Sequence, residues 1–241
     1  MKILDAVLST LDFEAEVKDI RLGVFHTGVI SRECGLASTL TRDAFKYEGP
    51  HVTQPGNLLN KTSYELAVMA GSNKLMEAAI GMATINSLIH VEEVDCIAVN
   101  ASEILAAKGK DKKVAIIGHF PFIPSLKELV GELWVIEKNA HPGDFAEQEA
   151  ETILPLADVV GITGTAFTNH TLDHLLEICR PKVYVVMLGD TTPMSPVLFD
   201  HGIDAVCGIK VVDPELALNC VSQGANFRQI RGVKLLTMFK K

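Results

Sequence analysis

The stretch Val183-Tyr-Val-Val-Met-Leu-Gly-Asp-Thr-Thr-Pro-Met-Ser-Pro196 joins an apolar run to a loop of hydroxyls, a carboxylate, a glycine and two prolines. A near-continuous apolar run bounded by turn residues is typical of a strand that is covered on both faces of a sheet. Similar runs recur in the second half of the chain, at Val114–Ile117, Leu133–Ile136, Asp158–Ile162 and Asp204–Cys207. Together these runs predict one buried parallel sheet.

Helix signals lie between the apolar runs. Ser125–Glu128 and Asp144–Glu147 have the spacing of a capping box, and Asp213 precedes Pro214 as an N-cap precedes a first helical position. Strands that alternate with helices indicate right-handed crossovers between parallel strands. The pattern therefore predicts a Rossmann-like α/β domain over residues 97–241.

The first half of the chain has a different pattern, with strands first and helices after them. The predicted elements are a helix over 2–12, an antiparallel strand over Ile20–Thr27, a pairing strand over Gly35–Leu40, a short helix capped by Thr62–Glu65 that ends near Gly71, and a longer helix over Asn73–Ile89. This order predicts a small α+β domain over residues 1–96.

One face of the longer helix is apolar except for Asn86. The residues that share this face at 100° per residue are Leu75, Met76, Ala79, Met82, Ala83, Asn86 and Ile89. Two interpretations stay open for Asn86. It is either a buried amide satisfied by the backbone or a side chain that points into a cleft between the two parts of the chain.

Composition excludes several classes of function. The formal net charge of -8 offers no basic field for nucleic acid, and no apolar run reaches the roughly 18 residues of a membrane span. Acidic residues come too early in the chain for a signal peptide. The five cysteines are scattered and form no C-x-x-C pair, as expected of a reduced, cytoplasmic protein.

The predicted topology brings two unusual loops together. Ligands of open parallel sheets bind beyond the carboxyl ends of the strands, where the strand order reverses. With the common order 3-2-1-4-5, the reversal lies between the first and fourth strands, so the loops Gly118–Phe122 and Gly189–Pro196 should face one crevice. Glu137 and the segment Thr163–His170 follow the second and third strands. We expect a small-molecule site there.

Each candidate residue also has a structural explanation. Gly118 suits a sharp turn, Ser195 is a ready N-cap before Pro196, and Asn169 suits the cap of the next helix. Thr192 is not needed for a cap, and Asp190 either caps a turn or coordinates a cation.

The first loop argues against a dinucleotide. It lacks G-x-G-x-x-G, and Phe120 and Phe122 would obstruct a pyrophosphate. Glu137 lies about 20 residues further on, where an acid often binds ribose hydroxyls, which favours a nucleoside or S-adenosylmethionine-like ligand. Thr163 and Thr165 beside a glycine suit a small anion-holding turn.

The histidines give only weak indications of a metal-binding site. His170 and His174 have i,i+4 spacing, but their helix face should be solvent-facing. His119 is the better candidate because it lies in the switch-point loop, and Asp190 could join it as acid, base or metal ligand. No Cys/His cluster has the spacing of a strong metal site.

Several segments together resemble a known family, the putative heavy-metal chelation proteins. These segments are GHFPFI (118–123), ITGTAFTNHTL (162–172), GDTTPMSPVLFDHGID (189–204), GLAS (35–38) and MEAAIGMATINSLI (76–89). The resemblance implies an enolase-N-terminal-like α+β domain packed on a Rossmann-like domain, with a site in the groove between them. It also implies a role in metal homeostasis through a metal-chelating small molecule.

The resemblance maps onto individual residues. The family's motif positions in this chain are Gly118, Phe120, Pro121, Glu137, Thr163, Gly164, Thr165, Asn169, Gly189, Thr192, Pro193, Ser195 and Pro196. Asp190 stands where the family usually has proline, which adds a carboxylate near the implied site.

The leading hypothesis is a protein that binds a metal-chelating or pterin-like metabolite in the interdomain groove. Asn86 and Glu137 would orient the ligand, while Thr165, Thr192 and Ser195 would hold an anionic part. The rivals are a non-enzymatic transition-metal carrier or sensor that uses His119, Asp190 and His141, and an S-adenosylmethionine-dependent methyltransferase. The sequence leaves open whether the protein is an enzyme and whether it forms a homo-oligomer.

Overall fold

A seven-stranded, mostly parallel sheet is the larger of two sheets in the computed structural model, which describes residues 1–241. A three-stranded antiparallel sheet is formed by the first part of the chain. The elements of that part are α1 (Lys2–Ser9), β1 (Asp19–Leu22), β2 (His26–Ile30), β3 (Cys34–Ser38), α2 (Thr41–Ala44), α3 (Ser63–Ala67) and α4 (Leu75–Leu88).

The second part of the chain forms the large sheet and its helices. Its elements are α5 (Ala101–Gly109), β4 (Lys113–Ile117), α6 (Ile123–Lys127), β5 (Glu132–Glu137), β6 (Phe145–Ala146), α7 (Ala150–Ile153), β7 (Val159–Thr163), α8 (Thr165–Thr168), α9 (Leu172–Ile178), β8 (Tyr184–Leu188), β9 (Ala205–Val211), α10 (Pro214–Ser222) and β10 (Val233–Phe239). The predicted α/β class, with a large parallel sheet and a small α+β part, is confirmed.

The observed strand order places the switch point at a different pair of strands from the predicted one. The order is β10-β9-β8-β7-β4-β5-β6, with β10 antiparallel to β9 and every other pairing parallel. The two-residue strand β6 was not predicted, and it takes the third place beside β5. The strand order therefore reverses between β4 and β7. The loop after β8, Gly189–Pro196, lies one strand away from the reversal. The prediction that this loop stands at the reversal itself was wrong.

Two of the predicted helix caps are wrong and two are confirmed. Ser125 lies inside α6, and Asp144 accepts a hydrogen bond from the His141 backbone amide instead of capping a helix. Asp213 does cap α10, because its Oδ1 accepts from the Leu216 amide at 3.1 Å. Thr62 and its partner Glu65 form the predicted capping box of α3.

The segment predicted as one strand over Ile20–Thr27 is two strands joined by a tight turn. The Gly23 amide donates to the His26 carbonyl at 2.8 Å, which closes the turn between β1 and β2. β3 pairs with β2, with Val29 opposite Gly35. The predicted pairing of the 35–40 segment is confirmed for Gly35–Ser38.

Helix α4 is buried on all sides, and not on one stripe as predicted. Every residue from Met76 to Ile85 is buried. Its buried carboxylate is satisfied within the protein, since Glu77 accepts from the Thr53 amide at 2.7 Å and from Ser72 Oγ at 2.6 Å. A helix that is buried on all sides lies in the core.

The two sheets share one hydrophobic core. Its largest cluster includes Val29 and Ile80 from the first part and Val160, Met187 and Met194 from the second. The division of the chain at residues 96 and 97 stays a prediction. None of the helices combines the length and the apolar character that a membrane crossing requires.

We predict that Gly35→Ala strongly destabilises the fold. A Cβ at Gly35 would lie 2.2 Å from the Ala83 carbonyl oxygen and 2.3 Å from the Ser87 nitrogen, so β3 and α4 would have to separate. Overpacking of this kind costs about 1–3 kcal/mol or more. Thermal unfolding measures the loss.

Gly71→Ala is the matched control. A Cβ there would meet only the flexible end of Met1, at 3.2 Å. We expect a change within about 0.5 kcal/mol for this variant. Equal melting temperatures for the two variants would contradict the close helix–strand packing.

Candidate functional site

A cleft of about 1400 Å³ runs along the carboxyl ends of the strands of the large sheet. One wall comes from loops after β4, β5, β7 and β8, and the other wall comes from the small sheet. The cleft therefore lies between the two parts of the chain. Among its lining residues are Phe25, His26, Ser38, Gly118, His119, Phe120, Pro121, Glu137, Thr163, Thr165, Asn169, Gly189 and Asp190.

Two glycines let the chain turn away from the sheet at the cleft. Gly118 has φ +103° and Gly189 has φ +113°, a region that side chains disfavour. Gly118 follows β4 and donates its amide to the Ile136 carbonyl at 2.9 Å, while Gly189 follows β8 and donates to the Cys207 carbonyl at 3.1 Å. Both loops thus stay tied to a neighbouring strand as they leave the sheet.

Asp190 is the best-connected side chain at the junction of the two sheets. Its Oδ1 accepts hydrogen bonds from Ser38 Oγ at 2.9 Å and from Thr191 Oγ1 at 3.2 Å. Its Oδ2 lies 2.5 Å from His26 Nε2, in close ionic contact. Ser38 and His26 belong to the small sheet, so the carboxylate joins the two sheets.

The Asp190–His26 contact is a buried ion pair. Burial alone would lower the pKa of His26, but the hydrogen bond and charge of Asp190 outweigh it, and that pKa is raised. Burial would raise the pKa of Asp190, but His26 and the hydroxyls of Ser38 and Thr191 hold it below its ordinary value. His26 Nδ1 also faces the Ala225 carbonyl at 3.4 Å, so both ring nitrogens have acceptors. That arrangement favours the imidazolium form.

Two predicted ligand residues lie behind Asp190 and outside the cleft. Asn86 and Thr192 line a separate small pocket together with Asp190. Asn86 Nδ2 donates to the carbonyls of Leu36, at 2.8 Å, and Thr191, at 3.2 Å. The amide is thus satisfied by backbone on one side, while Asn86 Oδ1 has no partner.

Gly164 and Ser195 are packed against other parts of the protein. A Cβ at Gly164 would lie 2.5 Å from the Thr192 nitrogen, so this glycine lets the two loops pack together. Ser195 is buried at the start of the short 3₁₀ helix Pro196–His201 and makes no side-chain cap hydrogen bond. Neither residue lines the cleft.

Hydroxyls and one amide follow β7 along the cleft. Thr163 Oγ1 and Thr165 Oγ1 lie 3.0 Å apart, and both residues line the cleft. Asn169 Oδ1 accepts from Thr171 Oγ1 at 2.7 Å and from the Thr171 amide at 3.3 Å, but Thr171 is the N-cap of α9, so the predicted capping role of Asn169 is wrong. On the opposite side, Glu137 Oε1 accepts only from the Asn139 amide, at 3.3 Å.

The loop after β4 supplies an aromatic surface. The rings of Phe120 and Phe122 stack with centroids 5.3 Å apart and an interplanar angle of 15°. Phe25 and Phe227 line the cleft as well. The cleft therefore combines flat apolar surface with separate polar groups.

The two candidates for acid, base or metal ligand have different partners. His119 Nδ1 lies 3.1 Å from Asp144 Oδ2, and the His119 ring lies beside His141 with centroids 4.7 Å apart. Asp190 pairs with His26 instead. Across the structure, no group of three or more His, Cys, Asp or Glu side chains is arranged to hold a metal ion.

His170 and His174 differ from each other. His174 is exposed and pairs with Glu151 at 2.6 Å, as its predicted solvent-facing position allows. His170 is half-buried with φ +62°, and its Nε2 contacts the Ala70 carbonyl at 2.9 Å. The prediction that His170 faces solvent is wrong, because this contact holds the ring against the first part of the chain.

The sequence patterns did not identify His26 and Ser38 as residues of the site. His26 begins β2 and Ser38 ends β3, opposite each other in the sheet register. A histidine at the first position of an apolar strand is the local signal. Its partner Asp190 is far away in the chain, so spacing alone offers no way to connect them.

Comparisons with known proteins give one consistent result. A family described as putative heavy-metal chelation matches residues 100–239, and a second family with the same description matches residues 4–89. The chain is 28% identical, over 191 residues, to an uncharacterised protein of Methanocaldococcus jannaschii, with 76% of this chain and 72% of that protein covered.

Two solved structures have the same fold. A DUF364-family protein of unknown function from Desulfitobacterium hafniense is 30% identical, with a TM-score of 0.88 over 99% of this chain and 98% of that chain. A DUF364-family protein of unknown function from Pyrococcus horikoshii is 21% identical, with a TM-score of 0.85 over 99% of this chain and 100% of that chain.

We predict that the Asp190–His26 pair stabilises the protein within a limited pH range. The raised pKa of His26 adds stability that is complete below its ordinary value of 6.5 and is lost as pH rises through the folded-state pKa. The lowered pKa of Asp190 adds stability that is present above 3.8 and is lost as pH falls through the folded-state pKa.

The Asp190→Asn substitution should therefore lower the free energy of unfolding most between these two pH limits. Removing one partner of a buried pair costs about 3–5 kcal/mol, since the other charge stays buried. Urea unfolding at about pH 5 and again above pH 8 should give a smaller difference from wild type at the higher pH. Asp200→Asn, at an exposed position, is the control. A loss that does not change with pH would count against the ion pair.

Proposed function

This chain belongs to the family described as putative heavy-metal chelation, and on that premise we propose that its cleft binds a small organic molecule that chelates a metal ion. The favoured class is a planar, polar metabolite such as a pterin. The observation that carries the proposal is the cleft between the two sheets, with its aromatic surface and its separate polar groups.

The size of the cleft supports an organic ligand. Small-molecule pockets usually have about 300–1,000 Å³, and this cleft has about 1400 Å³. A metal ion alone needs only a few ligand atoms around a single point. A molecule with a ring system and substituents would use much more of the available space.

The lining groups suit a planar chelator. Phe120 offers an aromatic face for a flat ring. The hydroxyls of Thr163 and Thr165 can donate to anionic or carbonyl oxygens, of which chelators have several. Glu137 can accept from an amino or hydroxyl group on the other side of the ring.

The metal ion itself is treated as cargo of the ligand. Side chains that bind metals occur at the cleft in pairs, which are His119 with Asp144, His174 with Glu151, and the buried pair His26 with Asp190. Such pairs do not make a resident metal site of three or four ligands. Most ligands to the ion would then come from the small molecule.

His119 could add one protein ligand to that ion. Its Nδ1 is in contact with Asp144, while its Nε2 makes no hydrogen bond within the protein and its side chain is 40% exposed. A histidine that ligates a metal commonly donates its other ring nitrogen to a carboxylate. This contact also favours the second candidate function, a transition-metal carrier that uses His119 and His141.

We predict that Phe120→Ala weakens chelator binding by about tenfold. Loss of an aromatic stacking partner costs about 0.5–1.5 kcal/mol. Isothermal titration with neopterin, with and without Ni²⁺, measures the dissociation constants. Phe45→Ala is the matched control, because Phe45 is 66% exposed and does not line the cleft.

The same titration can contradict the proposed ligand class. Equal dissociation constants for wild type, Phe120→Ala and Phe45→Ala would place binding elsewhere. Failure to bind neopterin, dipicolinate or a catechol in any metal-loaded or metal-free form would remove the chelator proposal.

The carrier alternative predicts a different result for His119→Ala. If the protein carries metal by itself, Ni²⁺ alone should bind with a whole-number stoichiometry, and His119→Ala should abolish it. If the chelator carries the metal, His119→Ala should weaken only the metal–chelator complex, by about tenfold. His174→Ala, another exposed histidine of the cleft, is the control and should change neither result.

A further inference from the structure

A small pocket lies behind Asp190, separate from the large cleft. It leaves about 20 Å³ for the centres of water-sized spheres. Its lining is Cys34, Gly35, Leu36, Asn86, Ile89, Val91, Asp190, Thr192, Met194 and Ile209. Most of this lining is apolar, so the polar atoms among these residues need an explanation.

Three of the lining residues carry buried side-chain oxygens that can each form a further hydrogen bond. These atoms are Asn86 Oδ1, Asp190 Oδ2 and Thr192 Oγ1. Asp190 Oδ2 already has His26 Nε2 at 2.5 Å, and a carboxylate oxygen has a second lone pair that can accept from another donor. Buried polar atoms are rarely left unsatisfied, because removing them from water without a replacement hydrogen bond destabilises the fold.

The orientation of the Asn86 amide is determined by its neighbours. Its Nδ2 lies 2.8 Å from the Leu36 carbonyl and 3.2 Å from the Thr191 carbonyl, so both amide hydrogens are used. A flipped amide would place an oxygen against two carbonyl oxygens. Oδ1 is therefore the unpartnered atom, and it can only accept a hydrogen bond.

The hydrogen-bonding capacity of Asp190 and Thr192 determines what the partner of this acceptor must be. Asp190 is an ionised carboxylate, which also accepts only. The Thr192 hydroxyl can both donate and accept, and Thr192 is 2% exposed, so bulk solvent does not satisfy it. The missing partner must therefore donate at least two hydrogen bonds.

We propose that this pocket binds a single ordered water molecule that bridges Asn86, Asp190 and Thr192. The water donates to Asn86 Oδ1 and Asp190 Oδ2 and accepts from Thr192 Oγ1. Buried waters typically make about three such bonds, and one water needs about 10–15 Å³ on the same volume measure. The available 20 Å³ fits one water and excludes a chelator.

The water site gives Asn86 and Thr192 a role apart from the cleft ligand. It would connect α4 to the loop after β8 and add a donor to Asp190 on the side away from Ser38. The inference is independent of what the cleft binds, because Asn86 and Thr192 line the small pocket and not the cleft, although the two linings share Asp190 and Ile209.

The test is a crystal structure of the ligand-free wild-type protein at a resolution that defines ordered water. We expect one water peak within hydrogen-bond distance of Asn86 Oδ1 and Asp190 Oδ2. Thr192→Ser should keep the peak, while Thr192→Val, which preserves the shape of the side chain, should lower its occupancy by at least half.

Three results would overturn the proposal. An empty pocket in the wild-type crystal excludes a bound water, whatever the variants do. A peak that gains anomalous signal after a thallium soak assigns the pocket to a monovalent cation instead. Full occupancy in Thr192→Val would likewise remove Thr192 as a partner and with it the three-residue bridge.

Discussion

The buried contact between Asp190 and His26 is the interaction on which the arrangement of the site depends. It joins the end of β8 in the large sheet to the start of β2 in the small sheet. Ser38 adds a second link from the small sheet to the same carboxylate. A buried charge needs a partner, so this contact holds the small sheet against the loop after β8. The two walls of the cleft are therefore fixed relative to each other.

Topology and glycines place the other groups. The order reverses between β4 and β7, so the loops after these strands diverge and leave space. Gly118 turns the loop after β4 away at positive φ, Gly189 does the same after β8, and Gly164 lets the loop that contains Thr192 approach β7 closely. The cleft is thus a consequence of strand order, and its depth depends on residues that have no side chain.

Sequence patterns predicted the fold class because apolar runs and their spacing are local properties. They also identified the cleft-lining residues Gly118, Phe120, Glu137, Thr163 and Thr165, which stand at strand ends. What they could not predict depends on tertiary pairing. The two-residue β6 has no periodicity, and the distant partner of Asp190 has no sequence signal. For the same reason the sequence could not show that Asn86 and Thr192 line the small pocket behind Asp190.

The core that crosses from one sheet to the other also bears on the kinetics of ligand exchange. Two parts with a small polar interface can hinge apart, whereas parts with a large apolar interface move as one body. Val29 and Ile80 share a cluster with Val160 and Met187, so the walls of the cleft are held together from below. Entry and release of the proposed ligand would then depend on motion of the loops at the mouth, among them Gly118–Phe122. Residence times would accordingly respond to changes in those loops more than to changes in the sheets.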